Sequence, residues 1–244
     1  EGDRPLRAYD QEGNQVYTVR DVDGRNLCSV DPNGNVTWYT YWDATRNSQL
    51  KRVIGPAAGT CPGTAPASGV RAVEYDYDAN GNVISTTQIA SDGSAARVSF
   101  SRYDELNRPT QSEGPQYTDA TLGAIRPVTA TTYNVLGNPT LVQAGHCASA
   151  ATGCAAAAVL TTQSTLVYDD FGRKYRETDP LGKAWTYAYD INNNVTQVTD
   201  AKGQVTTYGW AHGHLLTGRT NLAAGNVSIT RNDLGQPVTA TSYV

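Results

Sequence analysis

The sequence predicts an all-β protein in which antiparallel hairpins stack into one continuous coiled sheet, either a solenoid or an arc of a hollow shell. Three observations lead to this fold class. A 21-residue unit recurs along the 244-residue chain, the units share turn residues, and aromatic residues alternate after the turns. Self-similarity at a fixed period indicates a stacked repeat architecture and must be settled before any other reading.

The clearest unit runs from Tyr168 to Asp190 and reads YDDFGRKYRETDPLGKAWTYAYD. Steps of 21 from Tyr168 lead to Tyr189, Trp210 and Arg231, so the register persists where the tyrosine is replaced. Residues 20–43 align with this unit without a gap, and partial copies are spread over the rest of the chain. The aromatics that define the repeat are Tyr9, Tyr41, Tyr77, Tyr103, Tyr133, Tyr168, Tyr189 and Trp210.

Turn residues recur in the middle of each unit. They read Asp-Pro-Asn-Gly at 31–34, Asp-Pro-Leu-Gly at 179–182 and Asp-Ala-Lys-Gly at 200–203. Proline presets φ and glycine tolerates a positive φ, so these segments predict tight turns between two strands. The candidate turn glycines are Gly34, Gly172, Gly182 and Gly203.

Aromatic residues follow the turns at fixed offsets. Tyr39, Tyr187 and Tyr208 stand five residues after a turn glycine, and another aromatic follows two residues later. An offset of two keeps both side chains on one face of a strand. We expect equivalent aromatics to stack in neighbouring hairpins, with cross-strand pairs that contribute about 0.2–1 kcal/mol each. A tyrosine-lined sheet is also what a glycan-binding face looks like, so this alternative stays open.

The Tyr-Asp-x-x-Gly-Arg start at 168–173, the Asp-Pro-x-Gly middle and the return to Tyr-Asp resemble the YD repeat of RHS proteins. This repeat also occurs in the shells of bacterial Tc toxins and in animal teneurins. The resemblance extends from Tyr9 to about Val238, with close matches at residues 20–43 and 168–190.

The resemblance implies a non-catalytic shell or scaffold segment of a secreted or cell-surface protein. In the family, long YD arrays enclose a C-terminal toxin domain. The implied partners are therefore an enclosed toxin domain or neighbouring repeats of the same parent chain. The chain has about eight partial units and no recognisable toxin or self-cleaving aspartyl protease motif, so encapsulation is an expectation taken from the family.

We expect residues 1–244 to form a single repeat region without a linker. Insertion loops interrupt it at about 55–69, 114–127 and 145–158, and the alanine run of the third is expected to form a short helix. Apolar residues make up 39% of the chain, which has 15 tyrosines and only 2 phenylalanines. This composition favours strands around a thin, partly wet core.

Four cysteines permit three disulfide pairings. We favour Cys147 with Cys154, because the six intervening residues are small or flexible, and this leaves Cys28 for Cys61. Four free thiols in a reducing cytosol are the alternative. Cysteines on insertion loops favour oxidation in a secreted setting.

Other motifs give no catalytic residue, cofactor or metal site. Asp76, Asp78 and Asn80 begin like a calcium loop, but Thr87 stands where a bidentate glutamate is required. His212 and His214 have no third ligand nearby in the sequence. Aspartates recur at repeat starts, as at Asp10, which predicts a turn role in every unit. The sequence therefore indicates a protein that is not an enzyme.

Charge and hydropathy exclude further classes. The net charge is −4, and no Lys or Arg cluster interleaves with aromatics, so nothing indicates nucleic-acid binding. No run of 18 apolar residues predicts a membrane span. Methionine is absent, so we expect a processed product or an excerpt, continued at both ends by further repeats or by copies joined end to end. The alternative functions are thus a surface adhesin that binds glycans or a subunit of an extracellular filament.

Overall fold

The computed structural model describes residues 6–9, 13, 15–43, 48–154, 157–221 and 225–243. Within these ranges the secondary structure consists of strands and turns, without an α-helix. No helix long and apolar enough to cross a membrane is therefore found in the described ranges. The strands are β1 (Leu6–Tyr9), β2 (Gln15–Arg20), β3 (Asn26–Val30), β4 (Val36–Tyr41), β5 (Leu50–Ala57), β6 (Ala72–Tyr77), β7 (Val83–Ile89), β8 (Arg97–Tyr103), β9 (Pro109–Glu113), β10 (Tyr117–Asp119), β11 (Gly123–Tyr133), β12 (Pro139–Ala150), β13 (Gly153–Cys154), β14 (Val159–Tyr168), β15 (Lys174–Thr178), β16 (Ala184–Tyr189), β17 (Val195–Thr199), β18 (Val205–Ala211), β19 (Leu215–Asn221), β20 (Asn226–Arg231) and β21 (Pro237–Tyr243).

Neighbouring strands pair antiparallel in chain order. Each strand from β1 to β8 pairs with the strand that follows it, and so does each strand from β14 to β20. Between these runs, β10 pairs with β11 and β12 pairs with β13. The predicted all-β fold of antiparallel hairpins is confirmed.

The chain forms two compact units. Unit 1 comprises residues 1–128 and 146–159, and unit 2 comprises residues 129–145 and 160–244. The single repeat region over residues 1–244 stays a prediction.

The core of unit 1 includes a row of cross-strand partners. Val19, Cys28, Trp38, Ile54 and Ala72 lie opposite one another on the successive strands β2 to β6. Directly paired residues point to the same face of a sheet. All five side chains are buried. This apolar line across five strands is flanked by a second buried pair, Val30 and Val36, on β3 and β4.

The first insertion covers this line. Its first residues belong to β5, and the remainder is a loop. Cys61 and Ala65 of the loop pack against the core cluster. Gly59 lies so close to the Trp38 ring that an added Cβ atom would stand 2.5 Å from Cζ2. A glycine is therefore needed where the loop crosses the tryptophan.

Unit 2 has no fully buried apolar side chain among its described residues. Its strands nevertheless alternate in exposure. In β16, Tyr187 and Tyr189 are half-buried, whereas Thr186 and Ala188 are exposed. The aromatic residues thus share the less exposed face, as the offset of two predicts.

The second and third insertions differ from the predicted loops. Residues 114–127 contain β10 and the start of β11, and residues 145–154 belong largely to a hairpin of β12 and β13. The expected alanine helix is wrong for Ala157 and Ala158, which are not helical, while Ala155 and Ala156 lie outside the described residues. An isolated run of four alanines is too short to offset helix nucleation. The adjoining residues instead satisfy their backbone groups by strand pairing.

Candidate functional site

The feature that recurs through both units is a five-residue turn headed by Asp or Asn. The carboxylate or amide Oδ1 of the first residue accepts the N–H groups two and four residues later. These distances are 2.8–3.1 Å and 2.8–3.0 Å. The backbone N–H of the first residue donates to the carbonyl four residues later, and its own carbonyl accepts the fourth N–H. In the described chain the heads of these turns are Asp21, Asp31, Asp78, Asp104, Asn134, Asp169, Asp179, Asp190, Asp200 and Asn232.

This geometry confirms the predicted turns at 31–34, 179–182 and 200–203. The fourth residue of every such turn has a positive φ, which glycine adopts without a steric penalty. Gly34, Gly172, Gly182 and Gly203 all occupy this position. Asn107 and Asn193 occupy it with φ of 60° and 67°, and asparagine is one of the residues that tolerate this region.

In several of these turns the side chain of the fifth residue donates to the second carboxylate oxygen. Arg25, Arg108 and Arg173 each donate Nε–H to Oδ2 of their aspartate at 2.7 Å. Asn82 and Asn194 use their side-chain amide for the same purpose. These aspartates are therefore hydrogen-bonded through both oxygens within their own turns, as the predicted turn role requires, although Asp10 lies outside the described residues.

These contacts shift the aspartate pKa values. The backbone N–H of Asn35 is the largest cause that lowers the pKa of Asp31, and the Arg108 N–H does the same for Asp104. The side-chain amide of Asn194 is the largest cause that lowers the pKa of Asp190. Hydrogen bonds to the charged form stabilise it, so these groups are poor proton donors at neutral pH.

A bulge accompanies the repeat-defining aromatic in several strand pairs. The register shifts where Tyr41, Tyr77, Tyr103, Tyr168 and Tyr189 enter the pairing. A bulge increases the local twist of a strand pair. In these strand pairs, the repeat-defining aromatic therefore lies where the local twist is increased.

A hydrogen bond between residues distant in sequence links the aromatic side chain to the preceding strand. The hydroxyl groups of Tyr41 and Tyr189 donate to the carbonyls of Asn26 and Lys174, each 15 residues earlier, at 2.9 and 2.7 Å. Tyr77 and Tyr103 donate likewise to the carbonyls of Leu50 and Val83. In each case the acceptor is the first residue of the paired strand.

The hydrogen bond to a strand carbonyl is retained where Trp210 and Arg231 replace the tyrosine of the repeat. Trp210 donates Nε1–H to the carbonyl of Val195 at 2.8 Å. Arg231 donates both Nε–H and an Nη2–H to the carbonyl of Leu216. Three chemically different donors therefore perform one structural task, and both sites keep the register shift.

The remaining repeat-defining tyrosines are placed at strand ends. Tyr9 ends β1, pairs with Gln15 and is 68% exposed. Tyr133 and Tyr168 end β11 and β14.

The candidate glycan aromatics are half-buried and lie on paired strands. Tyr39 pairs with Val53, Tyr187 with Val198, and Tyr208 with Arg219. Each 21-residue repeat contains two strands, so Tyr187 and Tyr208, one repeat apart, stand about 10 Å from each other and do not pair directly. The Tyr39 hydroxyl lies 3.2 Å from the hydroxyl of Ser29.

The structure contains both favoured disulfides. Cys28 is bonded to Cys61, and Cys147 is bonded to Cys154. No cysteine of the described chain is free. Each bridge ties an insertion: the first fixes the loop over the core row, and the second closes the β12–β13 hairpin.

A buried carboxylate holds the β12–β13 hairpin against the sheet of unit 1. Glu113 is 0% exposed, and its Oε2 accepts the backbone N–H of Cys154 at 2.8 Å. Its Oε1 accepts Gln111 Nε2–H at 2.7 Å and pairs with Arg102 Nε at 3.1 Å. Gly153, at φ 113°, leaves room for this carboxylate, because an added Cβ atom would lie 2.5 Å from Oε2.

Arg126 lies buried beside this cluster and ties three segments of unit 1. Its guanidinium donates to the carbonyls of Val98 and Gly114 at 2.6 and 3.0 Å. It also stacks on Phe100, with 4.9 Å between Cζ and the ring centroid. Sequence reasoning missed Glu113 and Arg126. Only Arg126 left a signal, a lone charge within the apolar run Ile125 to Val128.

No described group of side chains forms a usable metal site. Glu113, Cys147 and Cys154 are close enough together, but both sulfur atoms are joined to each other. His214 Nδ1 lies 2.6 Å from Asn194 Oδ1, and His212 adopts a positive φ in the turn between β18 and β19. The histidine pair thus belongs to a turn.

Comparisons with known proteins agree with this geometry. The RHS Repeat family model matches residues 168–204 and 192–227. None of the curated proteins matches the sequence.

Solved structures share the fold over nearly the whole chain. The Tc holotoxin pore of Photorhabdus luminescens aligns with a TM-score of 0.52 at 15% identity, covering 98% of this chain and 13% of that one. The TcdB2–TccC3 structure gives 0.54 at 15% identity, covering 98% and 14%. The TcdB2–TccC3–Cdc42 structure gives 0.53 at 16% identity, covering 98% and 13%.

The chain thus spans about an eighth of the length of these structures. The RHS Repeat family is thus matched over residues 168–227, and nearly the whole chain shares the fold of these Tc toxin structures.

Proposed function

We propose that this chain is a non-catalytic structural segment of the shell of a secreted or cell-surface RHS-type protein. In this proposal the shell encloses a toxin domain at the C-terminal end of the parent chain. The observation that supports it most is the repeated turn, whose hydrogen bonds recur through both units.

The polar groups of the repeat support a structural role over a chemical one. Both carboxylate oxygens accept hydrogen bonds from the same turn in Asp21, Asp104 and Asp169. The hydroxyl groups of Tyr41 and Tyr189 donate hydrogen bonds to strand carbonyls. A general acid, base or nucleophile needs such an atom to face a substrate. Here the same atoms set the register and twist of the sheet.

The experiment uses the parent chain with its own C-terminal domain. Limited proteolysis is followed by mass spectrometry, for the intact chain and for the C-terminal domain expressed alone. We expect cleavage of that domain to be at least tenfold slower in the intact chain. Equal cleavage rates would contradict enclosure.

Glycan binding by the tyrosine face is the competing function, and the half-exposed rings of Tyr187 and Tyr208 on one face of unit 2 favour its examination. A glycan array of the chain is compared with Tyr39→Ala, Tyr187→Ala and Tyr208→Ala variants. Reproducible binding that these variants lose, with circular dichroism unchanged, would support an adhesin. A shell segment is expected to give no such selective loss.

A further inference from the structure

A cavity of about 460 Å³ opens in unit 1 where β5 to β8 begin or end. Two arginines line it, Arg71 before β6 and Arg97 at the start of β8. Val53, Val73 and Ala90 provide apolar walls. Ligand sites commonly fall in a range of about 300–1,000 Å³ and combine apolar walls with a few polar groups.

The strand register puts the polar and apolar groups on one face. Arg97 pairs with Gln88, Gln88 with Val73, and Val73 with Val53. Paired residues project to the same side, and Arg71, two residues before Val73, projects with them. This face lies opposite the buried row that contains Ala72, and Ala72 and Ile89 border the cavity on its core side.

The two guanidinium groups have unused donors. Arg71 donates Nε–H to the carbonyl of Gly55 at 3.2 Å, and its Nη groups have no hydrogen-bond partner among the described residues. Arg97 has no hydrogen bond or ion pair with the described residues, and its side chain is exposed. The acidic groups nearby are engaged: Glu74 pairs with Arg52, and Asp92 accepts the Ser94 N–H within its own loop.

We propose that this cavity binds the free C-terminal carboxylate of a peptide that ends in an aliphatic residue. The guanidinium groups of Arg71 and Arg97 receive the carboxylate, because arginine forms charge-assisted, bidentate bonds with this group. Val53, Val73 and Ala90 contact the aliphatic side chain. The Gln88 amide, which lines the same cavity, pairs with the preceding peptide group and distinguishes a peptide from a simple fatty acid. The site is independent of the shell role.

The test is a titration of the chain with N-acetyl-Ala-Leu, followed by NMR chemical shifts of the Arg97 and Gln88 amides. Three probes are compared: the free acid, its C-terminal amide and 4-methylpentanoate. We expect saturable binding of the free acid, and binding at least tenfold weaker for the other two.

Arg97→Ala is the decisive variant, because this side chain has no partner whose loss would disturb the fold. We expect it to weaken binding of the free acid at least tenfold, whereas the exposed Arg176→Ala in unit 2 serves as the matched control and leaves it unchanged. Three results would each overturn the proposal: no saturable binding of the free acid, equal binding of the amide, or equal binding by the Arg97 variant. Equal binding of 4-methylpentanoate would refute the peptide assignment.

Discussion

At the scale of single residues, one acceptor atom organises each turn. In the turn headed by Asp31, Oδ1 accepts the N–H groups of Asn33 and Asn35, both at 2.9 Å. Asparagine supplies the same atom without a charge, and Asn134 and Asn232 head equivalent turns. The turn geometry therefore requires the oxygen atom. The negative charge of aspartate additionally makes the stability of the turn depend on pH.

Asp31→Asn is expected to keep the fold and to reduce its sensitivity to acid. The Asn35 N–H lowers the pKa of the folded Asp31 below that of an unfolded aspartate, about 3.9. Such a group stabilises the fold above the unfolded pKa, and this contribution is lost as the pH falls through the lower, folded value. Chemical denaturation between pH 7 and pH 2.5 should show a smaller decrease in stability for Asp31→Asn.

Asp31→Ala is the control for this pair, because it removes the acceptor and should lower the melting temperature at every pH. If Asp31→Asn and wild type lose stability identically below pH 4, the carboxylate does not contribute as argued.

Tyr189→Phe is expected to destabilise the protein by about 0.5–1.5 kcal/mol, the usual net value of one hydrogen bond. The change removes the hydroxyl that donates to the Lys174 carbonyl at 2.7 Å and leaves the ring in place. Urea denaturation measures the difference. Tyr175→Phe, on an exposed side chain of β15, is the matched control and should change stability little. Equal effects of the two changes would show that the bond adds nothing.

At the scale of elements, each disulfide ties an insertion to a different environment. Cys28 is a member of the buried row of unit 1, and its partner is 33 residues away. Cys147 and Cys154 are only 7 residues apart and join two strands of one hairpin. The first bridge constrains a long loop of the unfolded chain and the second a short one, so their contributions to stability should differ.

Replacing Cys28 and Cys61 with alanine should cost about 4 kcal/mol, and replacing Cys147 and Cys154 about 2.5 kcal/mol, from the loop entropy of the unfolded chain. Denaturation of the two double variants in guanidinium chloride tests the order. A larger loss for the short bridge would mean that native-state contacts around Glu113 outweigh the chain entropy.

Glu113→Ala is expected to cost about 2–3 kcal/mol and to free the β12–β13 hairpin. The change leaves the Cys154 N–H and the Gln111 amide without their buried acceptor. Hydrogen exchange should accelerate for residues 147–154. Arg102→Ala serves for comparison, because Arg102 is 54% exposed and its loss should have a smaller effect. Unchanged exchange in the hairpin would refute the role of Glu113.

The sequence predicted the repeated elements well because the turn is encoded locally. An Asp or Asn followed three residues later by Gly or Asn contains all the atoms that the turn needs, as in Asp179 to Gly182. The positions of Trp210 and Arg231 in the repeat also followed from the 21-residue register, although their hydrogen bonds to the carbonyls of Val195 and Leu216 did not.

The Glu113 cluster could not be predicted, because it depends on contacts between distant segments. Glu113 and Cys154 are 41 residues apart, and Arg126 reaches a carbonyl 28 residues away. In sequence, Glu113 looks like any other acid of a polar strand. The alanine helix failed for a similar reason, since the bridge to Cys147 and strand pairing determine the structure next to it.

At the scale of the molecule, the two units differ in how they are stabilised. Unit 1 has a buried apolar row and two disulfides, whereas the described part of unit 2 has no fully buried apolar side chain. Stability in unit 2 must come mainly from strand pairing, half-buried aromatics and the turn network. Local opening is easier where few apolar contacts are buried.

We therefore expect amide exchange in β15–β20 to be faster than in β2–β6 under native conditions, by at least tenfold for the most protected amides. Hydrogen–deuterium exchange with mass spectrometry gives both values in one experiment. Equal protection in the two units would show that the buried row adds no local stability.

In each Asp-headed turn, some side chains form the hydrogen bonds of the turn and others do not. The two apex positions of each turn make no contribution to its four bonds through their side chains. Val22, Phe171 and Ile191 stand there with 90%, 83% and 93% of their surface exposed. Such apices behave as display positions: peptide tags, epitopes or binding residues placed there would be presented at regular intervals, while the Asp and Gly that frame them keep the scaffold unchanged.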